Sequence, residues 1–124
     1  MDNAYMAVSI GAILGANARY VLGGWLSERL GPAFPWSTFL INVSGSLLIG
    51  LVLGIASERV TPDWWRPGVA IGFLGSYTTF STFSYETINL LRDGSYLAAA
   101  ANVGGSVAAA FIAVAVGLAI AQLI

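Results

Sequence analysis

The chain has 124 residues, of which 57% are apolar and only 9% charged, and its net charge at neutral pH is −1. Because soluble domains carry about 25% charged residues, this composition excludes a water-soluble enzyme and predicts an integral membrane protein. The absence of cysteine and histidine from the sequence excludes disulfides, Cys/His metal sites and histidine-based catalytic triads. The balanced charge offers no basic surface for nucleic acid.

Four apolar segments are long enough to cross a membrane as helices, which takes about 20 residues each. Polar residues and prolines separate them, as expected where helices end. Asp2 and the lack of a basic residue before the first segment favour a retained helix over a cleaved signal peptide. We therefore expect one all-α domain, residues 1–124, with transmembrane helices at about 5–26, 36–57, 68–91 and 95–124.

The loop arginines are divided evenly between the two sides of the membrane. With four spans, Arg59 and Arg66 lie on the side of the termini, whereas Arg29 and Arg92 lie on the other. An excess of basic residues on the cytoplasmic side normally fixes orientation, and this chain has none. Insertion in both orientations would permit an antiparallel dimer, equivalent to an inverted repeat. The alternative is that the chain has only a weak orientation preference of its own, and that a partner protein of fixed orientation determines how it inserts.

Four packed helices leave no lumen at their own centre, so a conducting path is expected where subunits meet. Small residues allow helix backbones to approach closely. Packing within one subunit explains each Gly-x-x-x-Gly pair taken alone, while the three together favour an oligomer: Gly11/Gly15, Gly50/Gly54 and Gly68/Gly72.

The second span carries a stripe of polar side chains. Thr38, Asn42 and Ser46 are spaced four residues apart, so they share one helix face. Polar groups inside a membrane are costly unless they find partners. Hydrogen bonds to a neighbouring helix or a path for a polar solute would each explain the stripe, and the spacing leaves both open.

The third span concentrates glycine and hydroxyl residues in its middle, where residues 72–84 read GFLGSYTTFSTFS. Glycine and threonine are weak helix formers, so we expect a break near Gly75. Backbone groups freed there must face protein, a cavity or an ion. The alternative is a kinked helix whose hydroxyls bond their own carbonyls.

Aromatic rings and one carboxylate follow this break. Phe80 and Phe83 occupy neighbouring positions on one face, beside Thr82 and Glu86. Such a pair usually packs, yet ring edges carry partial positive charge and can contact a small anion. Glu86 conflicts with an anion unless it is protonated, hydrogen-bonded or near a mouth. The presence of Glu86 in this span is explained equally well if its carboxylate extends to the membrane interface.

Together these motifs resemble the Fluc fluoride channels, the CrcB-type proteins of bacteria and archaea. Residues 15–20, GANARY, are similar to the GAxxRY element of the first span in that family. Residues 38–46, TFLINVSGS, resemble its second-span asparagine element, and residues 72–84 are the most specific match. The resemblance covers essentially the whole chain.

The resemblance implies a channel that passively exports fluoride across the cytoplasmic membrane, not an enzyme. It implies an antiparallel dual-topology homodimer in lipid, with two pores, the two rings of one chain serving different pores. A structural Na⁺ at the dimer centre would bind the backbone carbonyls of Gly75 and Thr78. The residues assigned to the fluoride path are Arg19, Thr38, Asn42, Phe80, Ser81, Thr82, Phe83, Glu86 and Ser106.

One position departs from the family pattern. Many members have a tyrosine in the fourth span, four residues before a serine of the path, where this chain has Asn102 and then Ser106. We expect the path to continue through an amide there instead of a phenol.

Fluoride holds its water tightly, so a path for it must supply many hydrogen-bond donors, as Asn42, Ser81 and Thr82 do.

Two functions other than a fluoride channel remain open at this point. A small four-helix cation or drug transporter would instead exchange protons at Glu86, but such transporters place their glutamate in the first span, where this chain has Arg19. A non-conducting scaffold would leave the hydroxyl run unexplained. No phosphate-binding loop is present, so transport is expected to be passive.

Overall fold

The computed structural model describes residues 3–124, so Met1 and Asp2, which begin the expected domain, lie outside it. The described chain is helical and contains no strand, which confirms the all-α prediction for these residues. In chain order its elements are α1 (Asn3–Leu30), α2 (Trp36–Glu58), a π-helix (Trp65–Leu74), α3 (Gly75–Tyr77), α4 (Phe80–Arg92) and α5 (Tyr96–Leu123).

Three of these helices, α1, α2 and α5, are long and apolar enough to cross a membrane. The bounds of α2 and α5 agree closely with the predicted spans 36–57 and 95–124. The remaining predicted span, 68–91, is divided among the π-helix, α3 and α4. No single helix of spanning length covers it, so its backbone must find hydrogen-bond partners elsewhere in the protein.

The first helix is longer than its apolar segment. α1 continues through the polar residues after position 26 and ends at Leu30, where Gly31 adopts a positive φ of 78°. Glycine reaches this left-handed conformation without steric cost, which explains why the helix stops there. The Arg29 guanidinium lies 4.4 Å from the centre of the Trp25 ring, so the last turn carries its charge against an aromatic face.

Glycines bring the long helices into backbone contact within one subunit. α2 packs on α5, where a Cβ at Gly50 would overlap the Val114 carbonyl oxygen and one at Gly117 the Leu47 carbonyl oxygen. α1 packs on the π-helix, and Gly15 touches the backbone there in the same way. The Gly-x-x-x-Gly pairs are therefore used inside the subunit, and their role in an oligomer stays a prediction.

The third segment is interrupted at Thr78 and Thr79. Both residues have extended backbones, with φ and ψ of −83° and 159° at Thr78 and −150° and 116° at Thr79. Gly75 is helical, with φ −62° and ψ −31°. The prediction of a break near Gly75 is thus corrected to Thr78–Thr79, since β-branched residues accept extended geometry more readily than most.

Candidate functional site around the helix interruption

The interruption is held by the side chain of Asn42 on α2. The Thr79 backbone N–H donates to Asn42 Oδ1 over 2.8 Å, and Asn42 Nδ2 donates to the Thr79 carbonyl over 3.0 Å. The amide therefore acts as a neighbouring strand would, because it pairs with both polar groups of one extended residue. The interhelical hydrogen bond predicted as one explanation for Asn42 is confirmed. The amide nitrogen carries a second N–H besides the one directed at Thr79.

Arg19 supports the other side of the interruption. Its Nε donates to the Ser76 carbonyl over 3.0 Å, which links α1 to the end of α3. Ser76 lies in the last turn of α3, where carbonyls lose their helical partners. A half-buried arginine thus supplies a charged donor at the point where the helix ends, and charged hydrogen bonds are the stronger kind.

α4 begins with a side-chain cap. Thr79 Oγ1 accepts a hydrogen bond from the Thr82 backbone N–H over 3.2 Å and lies 3.0 Å from Thr82 Oγ1. A threonine at this position is a common start signal for a helix. The same residue therefore ends the interruption and starts the next helix, while Asn42 holds its backbone.

Two carbonyl groups at the interruption lose their usual donors. In a continuous helix the Thr79 N–H would bond the Gly75 carbonyl, but it donates to Asn42 instead. The Thr82 N–H would likewise bond the Thr78 carbonyl, but it donates to the hydroxyl of Thr79. Gly75 is also exposed on the surface of the chain. These are the carbonyls that the family resemblance assigns to Na⁺.

A polar groove of about 620 Å³, here called the arginine groove, lies on one side of the interruption. Its wall combines α1, α2 and α4 and includes Arg19, Thr38, Thr79, Thr82 and Glu86. Glu86 Oε1 is buried and has no hydrogen-bond partner within residues 3–124. A buried carboxylate oxygen without a partner is costly, so Glu86 is a polar group that lacks a structural explanation.

A second groove of about 310 Å³, here called the phenylalanine groove, also borders the interruption. The Phe80 and Phe83 rings both line it, with centres 5.5 Å apart and planes inclined by 32°. Phe80 is 72% exposed, which is unusual for a ring in the middle of an apolar segment. The other residues of interest in its wall are Asn42, Ser46, Gly75, Thr78, Thr79 and Ser106.

The structure separates some of the predicted site residues. Thr38 lines the arginine groove, whereas Asn42 and Ser46 from the same stripe line the phenylalanine groove. Thr79 lines both grooves, so the interruption forms the wall between them. Ser81 lines neither groove and lies exposed, with its Oγ 3.3 Å from the Thr79 hydroxyl.

Several hydroxyls near the interruption are already engaged with backbone. Thr78 Oγ1 donates to the Leu74 carbonyl over 2.9 Å, and Ser46 Oγ donates to the Asn42 carbonyl over 2.7 Å. Each hydroxyl has a single proton. The bonding of hydroxyls to carbonyls of their own helix, which was the predicted alternative for the third span, is therefore found at Thr78 alongside the interruption itself.

Two polar contacts were not anticipated from the sequence. The Tyr77 hydroxyl lies 2.9 Å from Ser44 Oγ, and its ring stacks on Phe73 at 6.0 Å. Tyr77 is buried, so this bond satisfies its hydroxyl while the ring anchors α3. Their sequence spacing gives no sign of this pairing, which depends on how α2 and α3 meet.

The second unanticipated contact joins α4 to α5. Thr87 Oγ1 donates to the Phe83 carbonyl over 2.8 Å, and Asn102 Nδ2 donates to Thr87 Oγ1 over 2.9 Å. Ser106 Oγ in turn donates to Asn102 Oδ1 over 3.2 Å. Asn102 is only 2% exposed. A lone amide in an apolar span indicates that the side chain needs a hydrogen-bond partner, but the sequence does not show that this partner is Thr87.

The apolar helices and their interrupted segment are those of a membrane protein, and a family model matches most of the chain. The family model described as "CrcB-like protein, Camphor Resistance (CrcB)" matches residues 6–118. The chain therefore belongs to the CrcB family, as its motifs predicted. With its several apolar helices it is a multi-pass membrane protein.

Curated relatives carry a more specific name. The fluoride-specific ion channel FluC of Acidobacterium capsulatum is 46% identical over 116 residues, 92% of each chain. The FluC of Chloroflexus aurantiacus is 44% identical over 117 residues, which cover 94% of this chain and 93% of the relative. FluC 2 of Symbiobacterium thermophilum is 50% identical over 111 residues, 89% of this chain and 90% of the relative.

Proposed function

We propose that this protein is a fluoride-selective ion channel that lets fluoride leave the cell passively across the cytoplasmic membrane. The observation that carries the proposal is the pair of hydrogen bonds between Asn42 and the extended Thr79, which keeps a non-helical segment between two grooves. Irregular backbone at membrane depth is tolerated where it lines a cavity. Relatives named as fluoride-specific channels match nine-tenths of the chain, which supports the choice of ion.

The chemistry of the groove walls suits a small anion. The second N–H of Asn42 and the hydroxyl of Thr82 are donors that can replace water around fluoride. The edges of the Phe80 and Phe83 rings offer weaker positive charge along the phenylalanine groove. Many moderate contacts favour conduction over trapping, because an ion must leave each site as easily as it enters. The polar groups of the arginine groove would form the entrance.

We further propose that two copies assemble as an antiparallel homodimer in the lipid bilayer, with one pore along each phenylalanine groove. The groove is open on one side, and Phe80 is 72% exposed. A second copy in the opposite orientation would cover both. The even division of loop arginines supports insertion in either orientation. Both rings of one chain line the same groove of that chain, so with one pore along each groove they serve the same pore, in place of the different pores that the resemblance implied.

A loop-charge experiment tests the antiparallel arrangement. Two lysines inserted beside Arg92 should bias all chains to one orientation and reduce fluoride flux. Co-expression with a copy biased the other way, by lysines beside Arg59, should restore it. Full flux from the singly biased chain alone would rule out the antiparallel dimer, whereas a matched pair of glutamines at the same place should change little.

Gly75 and Thr78 are the residues that would hold a structural Na⁺ between the two copies. Their carbonyls have lost the N–H partners of a continuous helix, and neutral carbonyl oxygens suit an alkali cation. The described residues contain no cluster of three or more acidic side chains that would instead favour a divalent metal. When bound, the cation would join the two interruptions, while Asn42 and Arg19 fix the backbone around them.

Glu86 supports a second candidate function, a cation or drug transporter driven by proton exchange. Its Oε1 is buried without a partner among the described residues, and unpaired acids inside membranes are often functional. Such a transporter would couple its substrate to protons, whereas the channel would not. The two functions therefore differ in what moves with the ion.

Fluoride efflux from liposomes that contain only this protein tests the proposal. Loaded with sodium fluoride, they should release fluoride rapidly once the membrane potential is clamped, and chloride-loaded liposomes should release little chloride. Replacing Na⁺ on both sides by N-methyl-D-glucamine should weaken the fluoride flux. In the liposomes that contain sodium, tracer Na⁺ should not cross the membrane. Sodium or protons moving in a fixed ratio with fluoride would contradict a channel, and no flux above protein-free liposomes would remove the function.

A further inference from the structure

A continuous chain of hydrogen bonds runs from the phenylalanine ring region into α5. It links the Phe83 carbonyl, the Thr87 hydroxyl, the Asn102 amide and the Ser106 hydroxyl in that order. Asn102 is 2% exposed and Ser106 is 8% exposed, so both side chains lie almost wholly inside the protein. Ser106 nevertheless lines the phenylalanine groove, whereas Asn102 does not. The chain therefore connects a buried amide to the wall of the groove.

The direction of every bond in this chain is fixed by its first member. A carbonyl oxygen only accepts, so the single proton of Thr87 is given to Phe83 and the Thr87 oxygen can only accept from Asn102. Asn102 must therefore turn its NH₂ group to Thr87. Its oxygen then faces Ser106, which has to donate. The only proton of the Ser106 hydroxyl is thus directed away from the groove.

We propose that Asn102 is a positioning residue that sets the affinity of the groove for fluoride by competing for the Ser106 proton. In the resting arrangement Ser106 presents lone pairs to the groove, and an anion gains its hydroxyl donor only by taking the proton from Asn102. The bond it must break is long, at 3.2 Å, so the exchange is feasible. Asn102 thereby weakens fluoride binding at Ser106 and speeds the ion's departure.

This inference rests on the proposed fluoride conduction along the phenylalanine groove, and it departs from the expectation that the amide itself forms part of the path. Asn102 is enclosed between α4 and α5 and lines neither groove. Its influence on the ion therefore has to pass through Ser106. A residue that acts in this way changes affinity only while its intermediary is present.

The test is a double-mutant cycle of Asn102→Leu and Ser106→Ala, read from the fluoride dependence of efflux from liposomes. Leucine matches the shape of asparagine but accepts no hydrogen bond, so the Ser106 proton is released to the groove. The half-saturating fluoride concentration should fall about fivefold, the worth of one ordinary hydrogen bond, and maximal flux should fall with it. In the Ser106→Ala background, Asn102→Leu should leave the half-saturating concentration unchanged.

Thr87 provides a second route if Asn102→Leu does not yield folded protein. Thr87→Val keeps the side-chain shape but removes the acceptor that orients the amide, so the half-saturating concentration should fall in the same direction. Thr87→Ser retains the hydroxyl and should restore the original value.

Three outcomes would overturn the inference: no shift in the Asn102→Leu variant, an equal shift with and without Ser106, or a loss of maximal flux alone. The first includes the case in which the freed proton turns to a backbone carbonyl. Absence of fluoride flux from the unmodified protein would instead refute the proposed function, so the two failures are distinguishable.

Discussion

The α2–α5 pair and the interrupted third segment solve the same problem in opposite ways. In α2 and α5 the backbone hydrogen bonds are internal to long helices, and glycines such as Gly50 and Gly117 let those helices touch. In the interrupted segment the backbone at Thr78 and Thr79 has left the helix, and side chains from other helices replace the lost partners.

The difference separates the scaffold from the site. A continuous helix in a membrane exposes no backbone polarity, so the backbones of α2 and α5 provide stability, and these helices contribute to the site only through side chains such as Asn42 and Ser106. The interrupted segment exposes backbone groups and lines two grooves, and it depends on Asn42 and Arg19 for its shape. Substitutions at the packing contact between α2 and α5 should therefore reduce stability, whereas substitutions of the residues that hold the interruption should reduce conduction in protein that still folds.

The largest expected effect follows from Asn42→Asp. The aspartate keeps an acceptor for the Thr79 N–H but loses the donor to its carbonyl and places a negative charge in the groove. An anion about 4 Å away would be repelled by about 4 kcal/mol, roughly a thousandfold in flux. Fluoride efflux from liposomes measures the effect.

Size-exclusion chromatography of the same Asn42→Asp preparation provides the control, because the variant should elute at the position of the unmodified protein. Unmodified flux from a folded Asn42→Asp variant would remove Asn42 from the path. The matched substitution Ser57→Ala, outside both grooves, should conduct normally.

Arg19→Met should come next in size. The Ser76 carbonyl would lose a charged donor, and hydrogen bonds of this kind contribute about 1.5–3 kcal/mol. We expect at least a tenfold loss of flux as the end of α3 loosens. Arg29→Met is the matched control, since Arg29 is exposed and only covers the Trp25 ring. Equal losses in both variants would indicate that net charge, not the hydrogen bond, matters.

A glycine pair tests the scaffold. Gly50→Ala places a methyl group against the Val114 carbonyl, whereas Gly104→Ala meets no atom within 4 Å. Overpacking of this kind costs about 1–3 kcal/mol, so Gly50→Ala should lower the denaturant midpoint and Gly104→Ala should not. Conduction per folded Gly50→Ala protein should persist. If Gly104→Ala proved the more damaging of the two, the close packing of α2 on α5 at Gly50 would be contradicted.

The smallest expected effect concerns Gly75. Because Gly75 is helical and exposed, valine fits its backbone, and any damage should come from the side chain covering the freed carbonyls. Gly75→Val should reduce flux severalfold and raise its sodium requirement, while Ser76→Ala should change neither. Efflux measured over a series of sodium concentrations separates the two, and a Gly75→Val variant with normal sodium dependence would argue against cation binding there.

The sequence largely predicts the scaffold, because the lengths of the two apolar segments are enough to locate α2 and α5. It does not predict the end of α1, since the polar residues after position 26 remain helical until Gly31 allows the chain to turn. The sequence predicts that the third segment is broken, but it places the break near Gly75 instead of at Thr78 and Thr79. Its true position depends on Asn42, which lies 37 residues away and stabilises the extended Thr79.

The sequence could suggest individual residues for the candidate site, whose roles stay predictions, but it could not show how the fold groups them. Periodicity placed Thr38, Asn42 and Ser46 on one helix face, yet the interruption divides that face between two grooves. The sequence also could not show which hydroxyl groups donate to backbone carbonyls and so are not available to an ion. That depends on which backbone groups the fold leaves without a partner. The contact of Thr87 with Asn102 arises where α4 meets α5, which no local pattern specifies.

The reversal potential of the purified protein in a planar bilayer tests the central claim most directly. With a tenfold fluoride gradient, the current should reverse about 59 mV from zero, as expected for a monovalent ion that moves alone. Gradients of chloride, sodium or protons should not displace that value. A reversal potential that follows sodium or protons, or one that lies near zero in a fluoride gradient, would contradict a fluoride-selective channel.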